Sequence, residues 1–96
     1  MELETPPKEE KWVKLEKFKS KYMVLLSELK KELLSKYPES RVEYIVDTLI
    51  HKVYALDFYT LADFLHTLYL ACKEMRELCR IMPTQQDIDK LLEEEP

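Results

Sequence analysis

The sequence predicts an all-α protein, a small helical bundle with three main helices and a short C-terminal helix. The 96 residues include no glycine, the residue that tight hairpins and left-handed helix caps usually require. Leu, Glu and Lys, which are good helix formers, are abundant. With 46% hydrophobic and 35% charged residues, the chain has the composition of one folded domain with a modest core.

The first helix is predicted from about residue 8 to residue 36. A flexible lead over residues 1–7 precedes it, and Pro6 and Pro7 suit the first helical positions. Tyr37 stands before Pro38, a place that disfavours the helical conformation, so the helix ends there. Its apolar stripe recurs at three- and four-residue steps and consists of Leu15, Phe18, Tyr22, Leu25, Leu26, Leu29 and Leu33. Trp12, Met23 and Leu34 lie beside this stripe and make it wider than one neighbouring helix covers.

The second helix is predicted over residues 41–56, after a capping box formed by Ser40 and Glu43. Its inward face comprises Val42, Ile45, Val46, Leu49, Val53 and Leu56. A tight corner at residues 57–59 leads into the next helix. Since no glycine sharpens this corner, a single kinked rod is the alternative.

The third helix is predicted over residues 60–82, with Thr60 and Asp63 as its start signals. This stretch has the clearest helical period in the chain, carried by Leu61, Phe64, Leu65, Leu68, Cys72, Met75, Leu78, Cys79 and Met82. Pro83 stops the helix. The sequence therefore places this helix at the centre of the bundle.

A short helix over residues 85–92 follows, with Thr84 as its cap, Asp87 at its third position and Ile88, Leu91 and Leu92 as its apolar side. An acidic tail over residues 93–96 completes the chain, so residues 8–92 are predicted to form a single helical domain.

The run around this helix is Pro83-Thr84-Gln85-Gln86-Asp87-Ile88-Asp89-Lys90-Leu91-Leu92. It resembles the first helix of many bacterial and archaeal helix-turn-helix regulators, in which a glycine and a recognition helix usually follow. Here Glu93 stands at the glycine position and three residues come after it. The resemblance therefore implies little beyond the helix itself.

Charge is unevenly distributed along the chain, whose formal net charge is −4. Residues 1–36 have a net charge of +2, residues 37–81 of −2 and residues 82–96 of −4. The overall charge gives no reason to expect a nucleic-acid or anionic-membrane partner. Abundant Glu and Lys with no Asn are typical of hyperthermophiles, which indicates an archaeal or viral origin. Without a secretion signal or a run of ~20 apolar residues, we expect a cytoplasmic protein with no membrane partner.

The candidate catalytic and metal-binding groups favour no enzyme. Cys72 and Cys79 share the apolar face of the third helix, so we expect two buried, inert thiols. In a straight helix their Cα atoms would be roughly 10 Å apart, too far for a disulfide, which leaves an inter-chain bridge as the alternative. Two carboxylate–histidine pairs have metal-site spacing, but both project away from the apolar stripes; they are Asp47 with His51 and Asp63 with His66. No cofactor, metal or catalytic residue is predicted.

The width of the first helix's apolar face favours protein binding, with a homodimer formed mainly through that helix. The candidate interface residues are Trp12, Tyr22, Met23, Leu26, Leu34 and Leu70. The second interpretation is an accessory nucleic-acid-binding protein whose basic helix edges contact phosphates. Those edges consist of Lys14, Lys17, Lys21, Lys73, Arg76 and Arg80.

Overall fold

The structure, a computed structural model, describes the backbone of residues 7–92 and the side chains of residues 13–92. It contains four α-helices and one 3-10 helix: α1 (Pro7–Leu34), α2 (Glu39–Tyr54), α3 (Leu61–Glu74), the 3-10 helix (Arg76–Ile81) and α4 (Gln85–Leu92). Residues 7–92 contain no strand, and the predicted all-α class is confirmed. The predicted lead, apart from Pro7, and the predicted acidic tail lie outside the described residues.

Helix α1 organises the packing. It contacts α2, the 3-10 helix and α4, and α2 in turn packs against α3. The stripe predicted for α1 lies in the core, which contains no polar or charged side chain among residues 13–92. The fully buried positions of α2 and α3 continue this core, so the predicted inward faces of those helices are confirmed.

Three aromatic rings connect α1 with α3. The rings of Phe18 and Tyr22 in α1 lie 4.7 Å apart, and Phe64 of α3 meets them edge-on at 6.3 and 5.7 Å between ring centroids. Edge-to-face rings at these distances stabilise a core beyond the area they bury. The rings therefore fix the position of α3 relative to α1.

The third helix is shorter than predicted. It ends at Glu74, and Met75 adopts an extended conformation (φ −124°, ψ 99°) before the 3-10 helix begins. In a 3-10 helix residues three apart share a face, and Met75, Leu78 and Ile81 have that spacing. Met75 and Leu78 are buried and Ile81 packs against the core. The prediction of one helix over residues 60–82 is therefore wrong beyond residue 74, because the apolar pattern fits both helix types.

Two of the predicted helix caps differ in the structure. α2 begins at Glu39 after Pro38, and no side chain caps it, so Ser40 and Glu43 form no capping box. Thr60 makes no cap bond at α3 either. Its hydroxyl contacts Asp57 instead, whose Oδ1 accepts hydrogen bonds from the backbone N–H groups of Tyr59 and Thr60. This Asp-centred turn separates α2 from α3, so they are two helices and not one kinked rod.

The cap of α4 is confirmed. The backbone N–H of Asp87 donates to Thr84 Oγ1 at 3.1 Å, and the backbone N–H of Thr84 donates to Asp87 Oδ2 at 3.3 Å. This reciprocal pair satisfies two backbone donors at the start of the helix.

Candidate interaction surfaces

The candidate interface residues fall into two groups in the structure. Tyr22 and Leu26 are 2% and 0% exposed, so the monomer itself covers both side chains. Met23 is half-buried, and Leu34 and Leu70 are exposed. The side chain of Trp12 lies outside the described residues.

The face of α1 opposite the core has a second helical pattern, which we call the outer seam. Its positions alternate at four- and three-residue steps, as core positions of a coiled coil do, and every one of them is exposed: Val13, Lys17, Ser20, Val24, Ser27, Lys31 and Leu34. Val24 at its middle is 55% exposed. The chain therefore has a coiled-coil spacing on a face that no other described residue covers.

Two open depressions adjoin the outer seam. One of about 460 Å³ is lined by Val13, Glu16, Lys17 and Ser20. The other, of about 440 Å³, extends toward α2 and is lined by Glu16, Lys19, Ser20, Met23 and Tyr54. Apolar, polar and charged side chains all line this side of α1.

A narrow groove lies between α2 and α3, with Tyr44 and Leu70 on its two sides and a volume of about 180 Å³. Thr48 and Thr67 also line it, but each hydroxyl donates to a carbonyl of its own helix, at 2.6 and 2.8 Å. Because those hydroxyls are satisfied locally, the groove is more apolar than its composition suggests.

Ion pairs between α2 and α3 flank this groove. Arg41 pairs with Glu74, and Lys52 Nζ lies 2.7 Å from Asp63 Oδ2. The sequence predicted Leu70 as an interface residue, but the groove itself depends on how two helices pack. The two Thr residues were a sequence signal for this groove, because each stands four positions after the residue whose backbone carbonyl accepts its hydroxyl hydrogen bond.

Three residues of the predicted basic edges interact with other side chains of the protein. Arg80 Nη2 lies 2.6 Å from Glu32 Oε2, and Lys73 Nζ lies 4.8 Å from the ring centre of Tyr69. Lys21 lies near enough to Asp87 to contribute to the lowered pKa of that carboxyl, which is due first to hydrogen bonds from Thr84.

Lys14, Lys17 and Arg76 are exposed and form no ion pair among the described residues. The structure thus leaves three of the six basic candidates available, two on α1 and one on the 3-10 helix.

Glu77 is a carboxylate with two hydrogen-bond partners, a cation and a phenol. It accepts hydrogen bonds from Lys36 Nζ at 3.0 Å and from the hydroxyl of Tyr37 at 2.9 Å. The bond from Lys36, together with one from its own backbone N–H and the one from Tyr37, lowers the pKa of Glu77 to about 2. The cluster joins the segment that follows α1 to the 3-10 helix and was not predicted from the sequence.

The two carboxylate–histidine pairs lie at the surface, as predicted. Asp47 accepts from Lys30 Nζ at 3.4 Å, and Asp63 accepts from Lys52. Across residues 13–92 no three His, Cys, Asp or Glu side chains are grouped closely enough to hold a metal ion.

The two cysteines differ in exposure. Cys72 is buried, but Cys79 is exposed, so the prediction of two buried thiols is wrong for Cys79. The cause is the change of helix type at Met75, which rotates Cys79 off the apolar face.

Comparison of the chain with protein families, with curated proteins and with solved structures finds no match. Within residues 7–92 no helix has the length and apolar character that crossing a membrane requires.

Proposed function

We propose that the protein is a non-enzymatic interaction module that forms a homodimer through the outer seam of α1. The observation that carries this proposal is the exposed coiled-coil spacing of the seam together with the charges beside it. Coiled-coil partners choose their orientation through the charges that flank the seam. The order of the charges along α1 therefore favours one orientation of the dimer.

In an antiparallel pair of α1 helices with Met23 near the two-fold axis, the flanking charges are complementary. Lys14 lies across from Glu28 of the partner subunit, and Glu16 lies across from Lys30 of the partner subunit. Two-fold symmetry repeats both pairs, which gives four attractive contacts. In the monomer Lys14 and Glu28 are exposed and without ion pairs among the described residues, so both are available.

A parallel pair is less favourable. It would place Lys17 and Lys31 each against its own copy, and like charges at core positions repel. The antiparallel pair instead packs Lys17 beside Ser27 and the aliphatic stem of Lys31 over Val13. Its cost is the approach of Lys21 to its own copy, which the neighbouring Asp87 reduces.

The seam is less apolar than the interface of a permanent dimer. Val13, Val24 and Leu34 supply its hydrophobic part, with Met23 beside it, and the two Ser positions let the backbones approach. We therefore expect a reversible dimer that depends on protein concentration and on salt.

The proposal is tested by sedimentation or light scattering over a range of protein concentrations. Wild type is expected to be a dimer at high concentration, and Val24→Glu a folded monomer. Tyr59→Glu is the matched control, since Tyr59 is 93% exposed and lies away from the seam. A wild type that stays monomeric throughout, or a Val24→Glu variant that still dimerises, would overturn the proposal.

A charge swap tests the antiparallel register. Lys14→Glu turns two attractive contacts into repulsive ones and should weaken the dimer about tenfold at low salt. Adding Glu28→Lys to the same chain should restore it. If the double variant is no tighter than the single one, the register is wrong.

Light scattering with an added oligonucleotide tests the alternative, nucleic-acid binding. A monomer that gains mass with a DNA or RNA oligonucleotide and loses it with moderate salt would favour the basic edges over the seam.

A further inference from the structure

The change of helix type at Met75 brings the two cysteines together. Cys79 Sγ donates a hydrogen bond to the backbone carbonyl of Cys72, with 3.3 Å between sulfur and oxygen. A continuous α-helix would separate their Cα atoms by roughly 10 Å, so this proximity is a product of the extended residue and the 3-10 helix.

The two thiols have unequal access to solvent. Cys72 is 7% exposed and belongs to the core, whereas Cys79 is exposed. In thiol–disulfide exchange an accessible thiol first forms a mixed disulfide with the oxidant. A neighbouring thiol then attacks this mixed disulfide and releases the bound part of the oxidant. The pair has this division between an accessible and a shielded sulfur.

We propose that Cys72 and Cys79 are an oxidation site that forms an intramolecular disulfide with a low-molecular-weight disulfide such as oxidised glutathione. The thiolate of Cys79 attacks one sulfur of glutathione disulfide, the S–S bond breaks, and one reduced glutathione leaves with a proton. Cys72 then loses its proton and attacks Cys79 Sγ, which releases the second glutathione. Two protein thiols are oxidised and one glutathione disulfide is reduced to two thiols.

The order of these steps follows from the surroundings of the sulfurs. Burial first, and the neighbouring thiol of Cys79 second, raise the pKa of Cys72 to about 11. A thiol with so high a pKa has little thiolate at neutral pH and is a poor first attacker. Once Cys79 carries glutathione, Cys72 is the neighbouring thiol in position to displace it.

The bridge would span the junction between α3 and the 3-10 helix. It would close a short loop across the one extended residue between those helices and restrict the unfolded chain. The oxidised protein is therefore expected to melt at a higher temperature than the reduced one. This site is independent of the outer seam, so its failure would leave the proposed dimer untouched.

Oxidised glutathione and purified wild-type protein at low concentration provide the test, followed by intact-mass and peptide analysis. We expect a monomer without free thiols, lighter by two hydrogens, with residues 72 and 79 cross-linked. Its melting temperature should rise and return to the starting value with dithiothreitol. Stable glutathione adducts on wild type, cross-linked dimers, or free thiols that persist would each overturn the proposal.

Two variants separate the steps. Cys72→Ala should stop at a mixed disulfide between Cys79 and glutathione, and Cys79→Ser should remain unmodified. Cys79 is exposed, so Cys79→Ser is expected to fold even if Cys72→Ala does not. If Cys79→Ser acquires glutathione as fast as wild type loses its thiols, the assigned order is wrong.

Discussion

The hydroxyl of Tyr22 donates a hydrogen bond to the backbone carbonyl of Ile81 at 2.5 Å, across 59 positions of sequence. Tyr22 lies in the aromatic cluster of α1, and Ile81 is the last residue of the 3-10 helix. The bond satisfies a hydroxyl whose ring is buried and a carbonyl at the end of a helix. It joins the first helix to the segment that replaces the predicted end of the third.

Replacing Tyr22 by Phe retains the ring and removes this hydrogen bond. We expect the free energy of unfolding to fall by about 0.5–1.5 kcal/mol. Urea denaturation followed by circular dichroism measures it. Tyr54→Phe, at an exposed position, is the matched control and should have no effect. An unchanged midpoint for Tyr22→Phe would contradict the role assigned to the bond.

The raised pKa of Tyr22 predicts that the folded state loses stability at alkaline pH. Burial first, and the charge of Asp87 second, raise the pKa of Tyr22 from 10.0 to about 12. The folded state therefore favours the neutral phenol, and this stabilisation is complete below pH 10 and is lost as the pH rises toward 12. Melting curves across that range should show the loss in wild type, and a smaller one in Tyr22→Phe. Equal slopes would contradict the prediction.

The lowered pKa of Glu77 predicts that the folded state loses stability in acid. Its pKa is about 2 in the fold, below the ordinary 4.5, so the charged form is favoured. This contribution is complete above pH 4.5 and is lost as the pH falls toward 2. Glu77→Gln should melt at a lower temperature at neutral pH and lose less of its stability in acid.

The control for Glu77 is Glu43→Gln, an exposed carboxylate of α2 without an ion pair among the described residues. Wild type and this variant should have the same pH profile. A Glu77→Gln protein with the acid profile of wild type would show that the cluster contributes nothing.

Leu26 and Val24 lie on opposite faces of α1, 0% and 55% exposed. Leu26→Ala should reduce the free energy of unfolding by about 2–5 kcal/mol, because it leaves a cavity in the core. Val24→Ala should change the stability of the monomer by less than about 0.5 kcal/mol. Chemical denaturation at several protein concentrations separates the two effects, since only a seam residue alters the dimer. A mild Leu26→Ala variant would place that side chain outside the core.

The sequence predicted the elements whose signals are local. The bounds of α1, α2 and α4 agree with the prediction within two residues, and Thr84 with Asp87 forms the expected cap. The end of α3 could not be predicted in this way. Met75 and Leu78 are three residues apart, a spacing that suits an α-helix and a 3-10 helix equally, and no Gly or Pro marks the break.

The surfaces were harder to predict than the helices. An apolar stripe shows which residues avoid water, but not how many neighbours share it. Tyr22 and Leu26 were therefore assigned to an interface although α2, α4 and the 3-10 helix cover α1 from both sides. The Glu77 cluster joins residues about 40 positions apart, and such tertiary pairs leave no pattern in a single sequence.

The position of α1 in the fold has a consequence for biosynthesis. The ribosome makes this helix before the elements that cover it, which are α2, then the 3-10 helix and finally α4. An emerging chain thus carries a long amphipathic helix whose apolar stripe is fully covered only after α4 has been made. Nascent chains that expose apolar surface attract chaperones and one another, so the fold can close only after α4 has emerged.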